Sequence, residues 1–173
     1  MRTRIIRFFC ISMAMIVAMM TISGCWIYSF SGTSIKADVK TINIEPTVNK
    51  AIKINPVLAN LLTEALIDKY KKLTSLEQVS SVGDLNVSVT IESYDVKATA
   101  ITANEIAAQN RLTITAKVKF VNEKYPEENF EKSFAAYEDY SSERSLDEVE
   151  ATLCDTIIEK LVEDIFNATV ANW

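Results

Sequence analysis

Histidine is absent from this 173-residue chain, and glycine, proline and cysteine are scarce. Without histidine there is no Ser-His or Cys-His nucleophile pair, no imidazole base at neutral pH and no histidine-containing zinc site. Three glycines and three prolines leave neither a phosphate-binding glycine loop nor a low-complexity linker. Carboxylates such as Glu123, Glu127, Glu128, Asp147 and Glu148 fall in predicted loops and helix caps. The sequence therefore predicts a protein that is not an enzyme, with no catalytic residue, metal or cofactor.

The N-terminus has the layout of a secretory signal peptide, which we assign to residues 1–24. Three arginines precede an apolar run from Phe8 to Ile22, about 15 residues long and too short for a membrane-spanning helix. The motif Ile22-Ser23-Gly24-Cys25 resembles the lipobox of bacterial lipoproteins, in which the cysteine is acylated and becomes the first mature residue. This resemblance implies lipid attachment at Cys25, which ties the chain to a membrane through acyl chains.

The predicted mature chain consists of a lipidated tether at residues 25–34 and a single domain at residues 35–173. Trp26 follows the cysteine, where an aspartate would signal retention in the inner membrane, so the sequence favours the outer membrane. Removal of the three signal-peptide arginines leaves 15 basic and 23 acidic residues, a net charge of −8. This excess of acid argues against nucleic acid as a partner.

The third cysteine, Cys154, has no disulfide partner in the mature chain, because Cys10 leaves with the signal peptide and Cys25 is acylated. Cys154 adjoins the apolar stripe of the last predicted helix. This position favours a buried, small hydrophobic residue over a redox role.

Hydrophobic periodicity divides the domain into six elements. Period-two alternation predicts strands, and apolar residues three and four apart predict helices. A change of phase near Ser93 predicts a β-bulge. The elements are a strand at 39–45, a helix at 55–73, strands from 85, at 111–120 and at 130–140, and a helix of about 25 residues from 145.

The element order β-α-β-β-β-α predicts an α+β fold. Because strands and helices are apolar on one side only, both helices must cover the same face of the sheet. The expected architecture is a two-layer sandwich, with two helices on one face of a four-stranded mixed sheet. We expect the other face to be polar and open, and the loops at 99–109 and 122–129 to lie together at the end far from the lipid anchor.

Several short motifs follow one another along the chain, and together they span most of the predicted domain. They are Tyr28-Ser29-Phe30-Ser31-Gly32, Ser34-Ile35, Lys40-Thr41-Ile42, Asn55-Pro56, Thr63-Glu64-Ala65-Leu66, Gly83-Asp84-Leu85, Asn110-Arg111-Leu112-Thr113-Ile114, Asp164-Ile165-Phe166-Asn167 and Ala171-Asn172-Trp173. This ordered set resembles the LptE family of lipopolysaccharide-assembly lipoproteins. The fold implied by the resemblance, two helices on a four-stranded sheet, is the one that the periodicity predicts.

The resemblance implies a lipoprotein that sits inside a large outer-membrane β-barrel, helps it to assemble and assists delivery of lipopolysaccharide. It also implies lipopolysaccharide contact through basic side chains. Arg111, Lys117 and Lys119 form the only basic cluster on a predicted strand. We therefore expect contacts with lipopolysaccharide or the barrel at Arg111, Thr113, Lys117, Lys119 and Tyr125.

Other interpretations are also compatible with the residues. The basic residues of the strand could form an ordinary solvated sheet face that resists edge pairing. The whole chain could be an auxiliary lipoprotein of a lipid or solvent ABC transporter, or a surface lipoprotein that binds a soluble ligand. Copurification of a barrel, of an ATPase complex or of neither would separate these functions.

Overall fold

The computed structural model describes residues 35–53, 55–99 and 109–170. The predicted signal peptide, the tether with Cys25 and most of the loop at 99–109 lie outside the described residues. The elements are β1 (Thr41–Ile44), β2 (Val48–Asn49), α1 (Leu58–Leu73), β3 (Glu77–Gln78), β4 (Leu85–Thr99), β5 (Gln109–Asn122), a 3-10 turn (Pro126–Glu128), β6 (Phe130–Ser141) and α2 (Leu146–Val170).

The strands form one mixed sheet in the order β3-β1-β4-β5-β6, and β2 also pairs with β4. β1 runs parallel to β4 across the α1 connection, and β4, β5 and β6 form an antiparallel meander. The predicted α+β class and the two covering helices are confirmed. The sheet has six strands rather than the four predicted. The two additional strands, β2 and β3, were not predicted because each is two residues long and too short to show alternation.

The core lies between the sheet and both helices. Residues on the covered side of β5 are exposed by at most 2%: Leu112, Ile114, Ala116, Val118 and Phe120. They pack in one cluster with Leu62 and Leu66 of α1 and with Ile157 and Leu161 of α2. Burial of each large aliphatic side chain contributes roughly 1.5–3 kcal/mol, so this layer holds the sheet and the helices together.

The predicted bulge is present in β4. The pairing of β4 with β5 shifts register between Ile91 and Ser93. One extra residue reverses which face the following side chains take. Tyr94 consequently lies on the covered side and is only 4% exposed.

Helix α1 begins at Leu58, three residues after the predicted start at Asn55. The Asn55 side-chain oxygen accepts a hydrogen bond from the Val57 N–H at 3.1 Å, and its carbonyl accepts one from Leu58 at 3.3 Å. Asn55 and Pro56 thus form a turn that leads into the helix. Local side-chain bonds of this kind compete with helical geometry at the same residues.

The two loops predicted to lie together are at opposite ends of the sheet. Leu85 pairs with Asn122 at one end of the β4–β5 ladder, and Thr99 pairs with Gln109 at the other, on the order of 45 Å away. Consecutive antiparallel hairpins must place their turns at alternate ends. We call the Asn122 end, where the described domain begins, the proximal end, and the Thr99 end the distal end.

Candidate partner-binding surfaces

The uncovered face of the sheet, here called the open face, is polar and has small side chains at its centre. Both helices pack against the opposite face, which carries the core residues of β4 and β5. On the open face, Thr115 lies between Ser93 and Ala135, and Thr113 lies beside Tyr137 in the next row. Hydroxyl and methyl groups therefore form the middle of this surface, as the alternation predicted.

The positive charge of Arg111 is paired with a carboxylate within the fold. Its guanidinium donates two hydrogen bonds to Asp139, directly opposite on β6, at 2.7 and 2.9 Å. The same group stacks on the Tyr137 ring, 3.8 Å from the ring centroid. The hydrogen bonds raise the pKa of Arg111 and lower that of Asp139. A planar guanidinium held by both a carboxylate and a ring has little capacity left for another anion.

Lys117 is neutralised in the same way by Glu131 of β6. Hydrogen bonding and charge attraction raise the pKa of Lys117 and lower that of Glu131. Lys119 is exposed, and no ion pair of Lys119 occurs in the part of the chain that the structure describes. Lys119 lies directly opposite Glu131 on β6, and its charge contributes to the lowered pKa of Glu131. Lys117 and Lys119 therefore share one carboxylate, although only Lys117 forms an ion pair with it.

Tyr125 is separated from these residues. It lies in the β5–β6 loop at the proximal end, where its hydroxyl bonds to both oxygens of Asp38 at 3.1 and 3.0 Å. The ammonium of Lys36 lies 3.2 Å from the Tyr125 ring centroid and 2.8 Å from Glu128. Tyr125 therefore fastens the first described residues to the loop. The pKa of Tyr125 is raised, chiefly by its hydrogen bond to Asp38.

A cavity of about 570 Å³ opens at the same end. Leu85, Phe120 and Phe130 form its apolar wall, and Asn129 and Glu128 line its polar side. The Phe120 and Phe130 rings lie 5.4 Å apart between centroids. A pocket of this size can hold a small molecule. Its polar side is already engaged in contacts of the loop, since Glu128 binds Lys36 and the Asn129 side chain accepts from the Asn122 N–H at 2.6 Å.

A second surface is formed by the connection between β2 and α1, which sequence reasoning missed. We call residues 50–53 and 55–57 the crossover loop. Ile52 is fully exposed and Val57 is 55% exposed, although both are apolar. Lys50 and Lys53 are its only charged residues. The signal in the sequence is an interval of 18 residues, 46–63, without a single acid in a strongly acidic chain.

A polar cluster at the covered side holds the crossover loop in place. The Tyr94 hydroxyl donates to the Glu150 carboxylate of α2 at 2.5 Å, and the Asn55 amide donates to the same oxygen at 3.2 Å. Burial raises the pKa of Tyr94, and the neighbouring Glu150 raises it further. Cys154 lies on α2 one turn beyond Glu150, and burial raises the pKa of its thiol to about 11. This confirms Cys154 as a buried free thiol.

Neither a metal site nor a membrane-spanning helix is found among the described residues. Nowhere in residues 35–53, 55–99 and 109–170 do three or more histidine, cysteine, aspartate or glutamate side chains form a group that could hold a metal ion. Over the same residues, each helix is too short or too polar to cross a bilayer.

The sequence model of the LptE family, described as lipopolysaccharide-assembly, matches residues 39–169, from before β1 almost to the end of α2. This chain belongs to the LptE family. The match covers the open face and the crossover loop of this LptE-family chain, and the family is not one of enzymes. No curated protein matches the chain in sequence.

Solved structures share the fold of this LptE-family chain. A neuraminyllactose-binding hemagglutinin homologue from Helicobacter pylori aligns with a TM-score of 0.52 and 12% identity, over 80% of this chain and 87% of that one. The hypothetical protein CT253 from Chlamydia trachomatis aligns with a TM-score of 0.51 and 9% identity, over 78% and 99%. At these identities the likeness concerns the fold alone.

Proposed function

We propose that this protein is an outer-membrane lipoprotein of the lipopolysaccharide transport and assembly apparatus, acting as plug and assembly factor for a large β-barrel. The observation that carries the proposal is the LptE family match over residues 39–169. The lipobox at Ile22-Ser23-Gly24-Cys25 supports membrane attachment through Cys25. Acyl chains on this residue would hold the domain at the periplasmic side of the outer membrane.

The chemistry of the open face supports a place inside a barrel. The lumen of a wide β-barrel is polar and accessible to water. The open face offers hydroxyl groups together with the compensated pairs Arg111–Asp139 and Lys117–Glu131. The desolvation free energy lost when such a surface meets another hydrated, polar surface is small, because the charged side chains keep their partners. Thr113 lies on this face and would contact the wall.

Direct binding of lipopolysaccharide is the finer part of the proposal. Lys119 is the best candidate for a phosphate contact, since it is exposed and forms no ion pair among the described residues. Arg111 and Lys117 would have to exchange Asp139 and Glu131 for a phosphate. Tyr125 would meet the barrel only where the proximal end does, because it lies in the β5–β6 loop.

Anchoring is tested by replacing Cys25 with serine. A single acyl chain binds membranes only marginally, at about 0.8 kcal/mol per buried methylene, whereas several chains hold stably. The Cys25→Ser variant should lose incorporation of a clickable fatty acid and leave the membrane fraction. Cys154→Ser is the matched control, and it should label like the wild type because Cys154 is buried. Equal labelling of the Cys25→Ser protein would contradict lipid attachment at this residue.

The partner is tested by purification of the full, lipidated chain from outer membranes after crosslinking. Photoreactive residues at Thr113 and Lys117 should capture a large β-barrel. Probes at the fully buried residues Ile114 and Leu161 should capture none. Recovery of an inner-membrane ATPase complex would favour the alternative of an ABC-transporter lipoprotein. Capture of soluble periplasmic proteins alone would favour a lipoprotein that binds a soluble ligand.

A further inference from the structure

Exposed apolar side chains are concentrated around the crossover loop. Eight large hydrophobic side chains are exposed among the described residues, and four of them lie between positions 48 and 61: Val48, Ile52, Val57 and Leu61. Ile52 retains its full accessible surface, although the adjacent Ala51 is 3% exposed. Single exposed apolar residues need no explanation, but a group of them on one short segment is typical of an interaction site.

The charge of this segment is opposite to that of the domain. Lys50 and Lys53 are the only charged residues between positions 46 and 63. Within the described residues neither lysine forms an ion pair, whereas Arg111, Lys117 and Lys160 each hold a carboxylate. The Lys53 ammonium lies 5.6 Å from the Tyr94 ring centroid. A cationic, apolar segment on an acidic domain is complementary to an apolar site that has acidic groups at its rim.

The described ends of the segment are also fixed to the fold. The Asn49 side chain bonds to the Asn55 carbonyl at 3.3 Å and accepts from the Ala51 N–H at 3.0 Å. The Lys50 N–H donates to the Ile91 carbonyl of β4 at 2.9 Å. These bonds close the loop at its base, and Glu150 fixes Asn55 from α2. A loop with fixed ends has less conformational freedom to lose when it binds.

We propose that the crossover loop and the first turn of α1 are the main docking surface for the barrel partner, which offers an apolar socket rimmed by acidic side chains. This inference rests on the proposed function and adds the surface that carries the affinity. Ile52 enters the socket, Val57 and Leu61 cover its edge, and Lys50 and Lys53 meet the acidic rim. The open face contacts the barrel wall without carrying much of the affinity, because Arg111 and Lys117 keep their ion pairs within the chain.

Copurification of the barrel with the full, lipidated chain tests this surface through two matched pairs of variants. Ile52→Asp should lower the amount of barrel recovered by about tenfold or more, as truncation of a central anchor does. Val82→Asp is its control, since Val82 is 74% exposed and outside the segment. Lys50→Glu/Lys53→Glu should lower recovery as well, most strongly at low salt. Lys71→Glu/Lys72→Glu, at the exposed end of α1, should have little effect.

The outcomes separate this inference from the proposed function. If the wild type recovers no barrel, the proposed function fails, and this inference with it. If the wild type recovers the barrel and Ile52→Asp recovers as much as Val82→Asp, only this inference fails. A photoreactive residue at position 52 should crosslink to the barrel, and crosslinking to lipid instead would overturn the protein socket. Far-UV circular dichroism of each variant confirms that an exposed substitution has left the fold intact.

Discussion

The open face and the crossover loop both carry basic residues, but the fold treats the two sets differently. On the open face, Arg111 binds Asp139 and Lys117 binds Glu131 on the neighbouring strand. In the crossover loop, Lys50 and Lys53 have no acidic partner within the described residues and stand beside the exposed Ile52. Charges compensated inside the chain contribute to folding, and charges left uncompensated remain available to a partner. Clustering of basic residues along the sequence therefore does not by itself predict a binding site. Whether acidic side chains lie beside those residues in the folded chain is the better predictor.

The largest effect on this comparison is expected when the support of the crossover loop is removed. Glu150→Ala deletes the acceptor of the Tyr94 hydroxyl and of the Asn55 amide. A buried hydroxyl left without a partner costs about 1–3 kcal/mol, and we expect a loss of this size in the free energy of unfolding from urea titration. Glu148→Ala, two residues earlier on α2, is the control, because its contact with Arg144 is long at 3.8 Å. Equal losses in the two variants would contradict the supporting role.

The same variant should also make Cys154 reactive. In the wild type the thiol is buried and its pKa is raised to about 11, so little thiolate exists at neutral pH. Alkylation of the folded wild type should be slow. It should be faster in Glu150→Ala, because the Tyr94 hydroxyl, which contacts the Cys154 thiol, loses its carboxylate partner. Rapid alkylation of the wild type would show that Cys154 is not protected by the fold.

The free energy of unfolding at low pH should show that ionised Asp84 stabilises the fold. Asp84 accepts hydrogen bonds from the Lys40 and Thr41 N–H groups at 2.7 and 3.1 Å and lies 3.2 Å from Lys124, and its pKa is lowered to about 2, chiefly by the Lys40 bond. A lowered pKa stabilises the fold above the unfolded value, and this contribution is lost as pH falls from about 4 to 2. Asp84→Ala should cost about 1 kcal/mol at neutral pH, with the difference shrinking over that interval. An unchanged difference at pH 2 would contradict the assignment, and exposed Asp95→Ala is the control.

A smaller effect is expected from freeing Arg111 on the open face. Asp139→Asn removes the negative charge but keeps a hydrogen-bond acceptor, so the loss of stability should not exceed that of an ordinary surface ion pair. The freed guanidinium should then bind phosphate-bearing vesicles better than the wild type does, as measured by cosedimentation. Asp95→Asn, on the same face of the sheet but not in an ion pair, is the control. No gain in vesicle binding would mean that compensation by Asp139 is not what limits Arg111.

The smallest effect on folding is expected in the crossover loop itself. Lys53→Met removes a charge without breaking an ion pair, so the free energy of unfolding should change by no more than about 0.5 kcal/mol. Its stability should also follow the wild type between pH 4 and 2, unlike that of Asp84→Ala. A thermal melt across this pH range measures both. A large loss of stability would show that Lys53 serves the fold rather than a partner.

The sequence determined the architecture and its covered face. Alternation along β5 and the stripe of α2 predicted which residues are buried, because periodic apolar side chains can be removed from water only on one side. The bulge near Ser93 was predicted from the change of phase, and α2 has the expected length of 25 residues. Most of the motifs that predicted the LptE family also lie within the residues that the family model matches, and those at 28–32, 34–35 and 171–173 lie outside them.

Tertiary structure decided what local pattern does not contain. β3 is a strand because its backbone pairs with β1, and β2 is a strand because its backbone pairs with β4. Each has only two residues, which is too few to show a hydrophobic period in the sequence. The loops at 99–109 and 122–129 lie at opposite ends because antiparallel strands alternate in direction, which also separates Tyr125 from Arg111. The neutralisation of Arg111 and Lys117 depends on strand register, which brings Asp139 and Glu131 beside them from about 14–28 residues away along the chain. The sequence determines which residues are charged, but the distances between basic and acidic side chains, and hence which charges are paired, depend on the folded structure.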